Sequence, residues 1–329
     1  MSFWQQLTKP FFVLAPMDDV TDVVFRQAVA DVAAPEVFFT EFVSVSGLTS
    51  EAGREATMLR LRQSASSSRP LVAQIWGNCP EQFAQAASMI QPLGFAGIDI
   101  NMGCPAKDVV KSGSGGGLIG DTVRSAEIIA ATKAGAGDLP ISIKTRLGRH
   151  QIITEEWIGW LLNQQLAAIT VHGRTVKEMS KVEAHWDEIK RVVQLRNQLA
   201  PHTVIIGNGD IANRETGLQQ ALATGVDGIM IGRGIFQSID AFSTNPPLSV
   251  SPQRQINLLA HHLDLYEQWG STNSFQTLKK FFKVYIHSWP QAHELRKRLM
   301  DSQNTQQVRE IIKLYTADSA ILPPPAKLS

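Results

Sequence analysis

The sequence predicts an α/β protein, a closed (β/α)8 TIM barrel followed by a small C-terminal helical bundle, and three observations carry that expectation. Eight short apolar, β-branched runs alternate with longer helix-like segments, the pattern of βα units around a parallel sheet. Eight is also the number of strands that closes such a barrel. Finally, almost every run ends in a polar or conformationally special residue, as where barrel enzymes gather their chemistry at the C-terminal strand ends. An open, doubly wound sheet is the alternative arrangement.

In chain order the runs are Phe11 to Ala15, Val37 to Thr40, Leu71 to Ile75, Gly97 to Ile100, Ile141 to Thr145, Ala168 to Val171, Val204 to Ile206 and Gly228 to Ile231. At or beside their ends stand Pro16-Met17, Glu41, Gln74, Asn101, Lys144 with Arg146, His172-Gly173-Arg174, Asn208-Gly209-Asp210 and Gly232-Arg233. Between them, Pro80 to Gln91 repeats Phe83, Ala86, Ala87 and Ile90 at helical spacing, with a proline where a helix begins. Val123 to Ala134 and Gly217 to Thr224 are the other clear helices, the latter ending at Gly225 where a C-terminal cap is expected.

Ser243 to Gln255 holds three prolines and little to bury, which predicts a linker. It divides a barrel domain, residues 1–242, from a helical unit, residues 256–329. Within that unit Ile256, Leu259, Leu263 and Tyr266, then Leu278, Phe281, Phe282 and Tyr285, then Leu295, Leu299, Val308, Ile311 and Ile312 keep helical spacing. Residues 321–329, rich in proline, are expected to form a loose tail.

Composition narrows the class. Two cysteines, Cys79 and Cys104, are too few for a disulfide framework, and no apolar run approaches the roughly 20 residues of a membrane span. The first ten residues lack a basic stretch followed by a long apolar one, so a soluble cytoplasmic protein is expected. The net charge is +1, but residues 250–329 carry +4 and the first 249 carry −3. That imbalance is weak support for a polyanionic partner, since a solvated helical surface produces the same excess.

Cys104 is the most informative residue. It follows the run Gly97-Ile98-Asp99-Ile100-Asn101-Met102 and lies between Gly103 and Pro105, so a loop holds the thiol outside the packed layer where it can meet a ligand. The loops Gly207-Asn208-Gly209-Asp210 and Gly232-Arg233-Gly234 follow the seventh and eighth runs, where barrels commonly hold a phosphate: glycines admit backbone N–H groups and Arg233 adds a charged fork. Plain turn glycine is the competing explanation for either loop alone.

Lys144 inside a barrel is costly unless it meets an anion or an electron-rich ring; a strand-end lysine reaching solvent and a Schiff-base lysine are the alternatives. His172 and Gln74, each alone, are as easily ordinary polar filling. Metal chemistry has little support, because no His-Glu-x-x-His occurs and neither cysteine has a near cysteine partner. No Gly-x-Ser-x-Gly turn suggests a hydrolase, and Ser112-Gly113-Ser114-Gly115-Gly116-Gly117 lacks the Lys-Ser/Thr of a nucleotide loop. It reads instead as a mobile or tightly turned loop beside the thiol.

Taken together, these elements resemble the tRNA-dihydrouridine synthases. The likeness runs through Leu14-Ala15-Pro16-Met17, Val20-Thr21-Asp22, Phe25-Arg26, Gln74-Ile75-Trp76-Gly77, Asn101-Met102-Gly103-Cys104-Pro105 and Lys144-Thr145-Arg146-Leu147-Gly148, then His172-Gly173-Arg174-Thr175, Gly207-Asn208-Gly209-Asp210-Ile211 and Ile231-Gly232-Arg233-Gly234. Asn-x-Gly-Cys-Pro with His-Gly-Arg-Thr is the specific part; the glycine loops are shared with many flavin barrels. Ala292-His293-Glu294-Leu295-Arg296-Lys297-Arg298-Leu299 resembles the helical unit of the bacterial B-type branch more weakly.

The resemblance implies a flavoprotein that uses FMN and NADPH to reduce the C5–C6 double bond of specific uridines in the tRNA D-loop. It implies hydride delivery from flavin N5 to C6 and a proton from Cys104 to C5. FMN would be held by Pro16, Met17, Asp18, Gln74, Lys144, His172, Asn208, Gly209, Asp210, Gly232 and Arg233. Asn101, Lys107, Arg146 and Arg174 would meet the uracil or the RNA backbone. tRNA is the implied partner, with no membrane and no metal, and the chain is expected to act as a monomer. The family pattern has a small residue and glycine where this chain has Asp18-Asp19, and the chain also departs from it at Glu178, Ser180 and His185, the residue before Trp186. A tRNA-binding flavoprotein without reductase activity, or an FMN barrel acting on a small pyrimidine, are the other readings. Loss of function on Cys104→Ala and turnover of free uracil, respectively, separate them from the first.

Overall fold

Side chains alternate across each strand, and the sequence keeps the two sets apart all the way round a closed sheet. The computed structural model describes residues 2–64, 68–247, 249, 251–270 and 274–317. Residues 321–329, expected as a tail, lie outside that set. Strands β1 (Phe11–Leu14), β2 (Val37–Ser44), β3 (Leu71–Trp76), β4 (Gly97–Met102), β5 (Ile141–Gly148), β6 (Ala168–Thr175), β7 (Val204–Asn208) and β8 (Gly228–Ile231) form a barrel in chain order. Every neighbouring pair is parallel, and β1 meets β8 from Phe11↔Gly228 to Leu14↔Ile231.

Phe12, Leu14, Ile75, Ile98, Ile100, Ile143, Ile169, Val171, Ile205, Ile229 and Ile231 join the core shared with the surrounding helices. Phe11, Val13, Val37, Phe39, Val72, Ala168, Val204, Ile206 and Met230 form a second cluster inside the barrel. Burial on both faces explains why these strands read as continuous apolar runs. Trp4, on the short helix Phe3–Gln6, is fully buried and packs on Phe11 and Phe39 at centroid separations of 5.9 and 6.2 Å, closing the floor.

All eight expected strands are present, and β2, β3, β4, β5, β6 and β7 continue beyond their expected ends. Their extra residues include interior polar side chains, which sequence patterning treats as the end of a strand although a barrel mouth accepts them. The helices start and stop for local reasons. Asp22 caps Val23–Ala33 by accepting from the Phe25 N–H at 2.8 Å, and Pro80 opens Pro80–Ile90. Asn213 caps Arg214–Thr224, which ends at left-handed Gly225.

The stretch expected as a linker is shorter than predicted. The helix Pro252–Trp269 begins inside it, with the Ser251 hydroxyl accepting from the Arg254 N–H, because proline suits a first helical turn. This helix lies on Val23–Ala33, with the His262 and Phe25 rings 6.1 Å apart; Phe281, from a later turn of the helical unit, stacks on Phe25 at 4.6 Å, and the Arg62 guanidinium donates to the Trp269 carbonyl at 2.9 Å. Arg254 grips Asp240 through both terminal nitrogens at 2.9 and 2.7 Å, tying the helical unit to the segment that follows β8.

Candidate active site at the barrel mouth

Interior alternation carries Glu41, Gln74, Asp99, Asn101, Ser142, Lys144, Thr170, His172 and Asn208 upward from the apolar floor. Above them a cavity of about 480 Å³ is lined by Ala15-Pro16-Met17, Lys144, His172, Asn208-Gly209-Asp210 and Gly232-Arg233-Gly234, with Ser180 and Gln237 at its edge. Thus nine of the eleven residues expected around a cofactor meet in one cavity. A larger recess of about 770 Å³ at the opposite end of the barrel is lined by Lys133, Pro140, Leu166 and His202 and contains neither the thiol nor the strand-end glycine loops.

The cavity is electropositive. Burial first, and then the nearby Arg146 guanidinium, lowers the Lys144 ammonium to about 8, while Asp99 acts in the opposite sense. The Lys144 Nζ donates to Asn208 Oδ1 at 3.3 Å, and Asn208 in turn donates to the Met230 carbonyl at 2.8 Å. His172 is held well below its ordinary range by burial and then by the Arg146, Lys144 and Arg174 cations, so its ring is neutral at neutral pH. Burial disfavours the Asp210 carboxylate, but bonds from Arg174 and the Ala184 N–H more than compensate and lower its pKa. Gly209 adopts φ +133°, open to glycine alone, and the Trp186 indole donates to its carbonyl at 3.1 Å.

Beside the cavity, Cys104 sits two residues beyond β4 and is half-buried. Burial raises its pKa, outweighing the Ala106 N–H bond and the Arg146 field, so the thiol is protonated at neutral pH. The Asn101 side-chain oxygen accepts from the Gly103 and Cys104 N–H groups at 3.1 and 2.9 Å. The glycine-rich stretch supports this loop from below. The Gly116 N–H donates to the Cys104 carbonyl at 3.0 Å, and a Cβ on Gly116 would fall 2.9 Å from that oxygen.

Several expected contacts are redirected. Arg146 is buried and donates from Nε and Nη1 to the carbonyls of Gly103, Thr175 and Met179 at 2.9, 3.1 and 2.9 Å, so it braces two loops. Arg174, only 2% exposed, donates to the Val182 carbonyl and pairs with Asp210 and His172, and is equally withdrawn. Asn101 and Gln74 are buried and bonded within the protein, away from the cavity lining. Asp18 turns out of the cavity to Arg60 at 2.5 Å, and Lys107 stands exposed at the start of its own short helix, apart from the others.

Arg60 is a residue that patterning alone did not single out. Asp18, Asp19 and Glu41 offer carboxylate oxygens within 4.8 Å of one another, and the Arg60 guanidinium already supplies the cation between them. Burial still lifts Glu41 to about 7 against that pairing, and its Oε2 has no partner. Lys280, from the helical unit, reaches Asp19 at 3.5 Å. Of the departures noted above, Glu178 accepts from the Thr175 N–H at 2.7 Å and pairs with His185, which gives both a local structural role. Asp99 and Ser142 also escaped notice, although interior alternation from Gly97 to Asn101 is a signal that finds Asp99.

Comparison with known proteins adds an independent line. The family model described as dihydrouridine synthase (Dus) matches residues 13–321. A Staphylococcus epidermidis protein called probable tRNA-dihydrouridine synthase is 45% identical over 321 residues, covering 96% of this chain and 97% of that one. A Staphylococcus aureus protein of the same name is 44% identical over 321 residues, covering 96% of each chain. Bacillus subtilis probable tRNA-dihydrouridine synthase 2 is 44% identical over 316 residues, covering 94% of this chain and 95% of its own.

Proposed function

The chain belongs to the dihydrouridine synthase family, and on that premise we propose that it reduces the C5–C6 double bond of uridines in the D-loop of tRNA, with FMN as cofactor and NADPH as reductant. The observation that carries this reading is a protonated, half-buried thiol held at the same mouth as a cation-lined cavity.

The residues present suit a flavin phosphate and ring. The apolar wall Ala15-Pro16-Met17 offers a face for a flat ring, and glycine loops with Arg233 offer donors to a phosphate. Excess positive charge calls for an anion, and the Thr170 hydroxyl beneath is buried without a partner. When bound, the flavin supplies the hydride. Lys144 would stabilise negative charge on the ring's polar edge, and neutral His172 would bond without adding charge. Cys104 would hold a proton for C5 of the uracil and release it as that carbon gains electron density.

RNA is better served by the helical unit than by Arg146 or Arg174. Lys280, Lys283 and Lys297 are exposed and line one groove of about 520 Å³ with His293 and Arg296. Contacts there would hold the RNA backbone while an unstacked uridine enters the mouth. No described helix is long and apolar enough to cross a membrane, and a tRNA substrate favours the cytoplasm. We take the working unit to be a monomer.

Purified protein with FMN and NADPH, added to unmodified tRNA, should form dihydrouridine detectable by mass spectrometry at defined D-loop positions. NADPH oxidation with no dihydrouridine at any position would overturn the reading.

A further inference from the structure

Strand register sets Gln74 of β3 against Asp99 of β4, and Asp99 against Ser142 of β5, all three interior and buried. Asp99 accepts from the Ser142 hydroxyl at 2.6 Å and from the Gln74 amide nitrogen at 2.7 Å. The Gln74 oxygen accepts from the Asn101 amide nitrogen at 3.0 Å, and the Asn101 oxygen accepts from the Gly103 and Cys104 N–H groups. An amide side chain can face either way, so the direction of such a chain must be set at its ends. Here the two backbone N–H groups can only donate and an ionised carboxylate can only accept, so a single orientation satisfies every member.

We infer that Asp99 is a positioning residue for Cys104: by accepting from Gln74 it fixes the amide directions of Gln74 and Asn101, and so the loop that presents the thiol. The inference rests on the proposed reaction for its kinetic consequence, but not for its geometry. Lys144 lies close enough for its charge to act on Asp99, so a purely electrostatic role is the rival explanation. Two substitutions separate the explanations. Asp99→Asn retains an oxygen acceptor for Gln74 and removes the charge, whereas Asp99→Ala removes the acceptor itself.

The test uses full-length, FMN-loaded protein and measures the two half-reactions separately. Reduction of the flavin by NADPH should change by a similar factor in the two variants, since both remove the Asp99 charge that acts on Lys144 and neither replaces a residue that lines the cavity. Reoxidation of the reduced enzyme by tRNA should slow on the order of 10- to 100-fold in Asp99→Ala, the loss of a charge-assisted hydrogen bond, and only a few-fold in Asp99→Asn. Equal slowing of both half-reactions in Asp99→Ala, equal slowing of reoxidation in the two variants, or no slowing overturns the inference. If Asp99→Ala fails to load FMN, Gln74→Glu takes its place. It sets two carboxylates face to face, so reoxidation should acquire a new loss with rising pH, and an unaltered pH profile overturns the inference.

Should tRNA fail to reoxidise the wild-type enzyme, the proposed reaction falls and the positioning role is read from Cys104 alone. Iodoacetamide alkylation, followed by peptide mass spectrometry with Cys79 as internal reference, should then change severalfold in rate at Cys104 in Asp99→Ala and not in Asp99→Asn. The same Cys104 rate in all three proteins overturns it.

Discussion

The interior of one barrel holds two opposite environments on the same eight strands. At the floor, Trp4, Phe11, Val13, Phe39, Val72, Val204, Ile206 and Met230 form a sealed apolar layer. At the mouth, the next interior positions are Glu41, Gln74, Asp99, Asn101, Lys144 and Asn208. The floor contributes stability through apolar burial, about 1.5–3 kcal/mol for each large side chain. The mouth works against it, because burial moves Glu41 and Asp99 up, to about 7 and about 6, and Lys144 down to about 8. A strand therefore divides its labour along its length, with folding at one end and chemistry at the other.

Substitutions that separate activity from stability are the sharpest challenge to that division. Cys104→Ala should lower dihydrouridine formation by roughly 100- to 10,000-fold while flavin loading and melting temperature change little, because a positioned proton donor is lost and nothing else. Activity within a fewfold of wild type, measured on unmodified tRNA, would break the assignment. Trp4→Ala should do the reverse, costing about 3–5 kcal/mol in denaturant unfolding with turnover of the folded fraction intact.

Glu41→Gln tests whether the mouth costs stability. A carboxylate with a folded pKa near 7 and an ordinary unfolded one means that unfolding releases protons between about pH 4.5 and 7, so native stability falls as pH rises through that range. The Gln variant lacks this slope. It should equal wild type near pH 4 and exceed it by up to about 3 kcal/mol above pH 7, and parallel stability curves would show that Arg60 fully compensates the burial. The smallest effect concerns RNA. Lys283→Ala should reduce the salt dependence of tRNA binding by about one counterion, whereas Arg146→Gln should leave that slope unaltered. A reduced slope for Arg146→Gln would place its guanidinium on phosphate after all.

The barrel and most of its cavity were legible in the sequence because strand alternation and strand-end glycines are local signals. Pro16, Met17, Lys144, His172, Asn208, Gly209, Asp210, Gly232 and Arg233 converge for that reason. What patterning did not reveal was which partners within the protein long polar side chains would find. Arg146 and Arg174 carry the charge of RNA contacts, yet their partners are carbonyls and a carboxylate on loops distant in sequence. The Asp18–Arg60 pair likewise spans 42 positions, beyond any periodic pattern. Strands β2 and β5 outran their expected ends because a polar residue inside a barrel mouth does not terminate a strand.

The Trp4 plug has a consequence for the order of events in turnover. With its floor sealed by an indole, the cavity opens at the C-terminal ends of the strands. In the proposed reaction, a nicotinamide and a flipped uridine that use the same flavin would occupy that mouth in alternation, the first departing before the second arrives. Steady-state rates should consequently give parallel double-reciprocal lines, with each substrate competing at high concentration against the other.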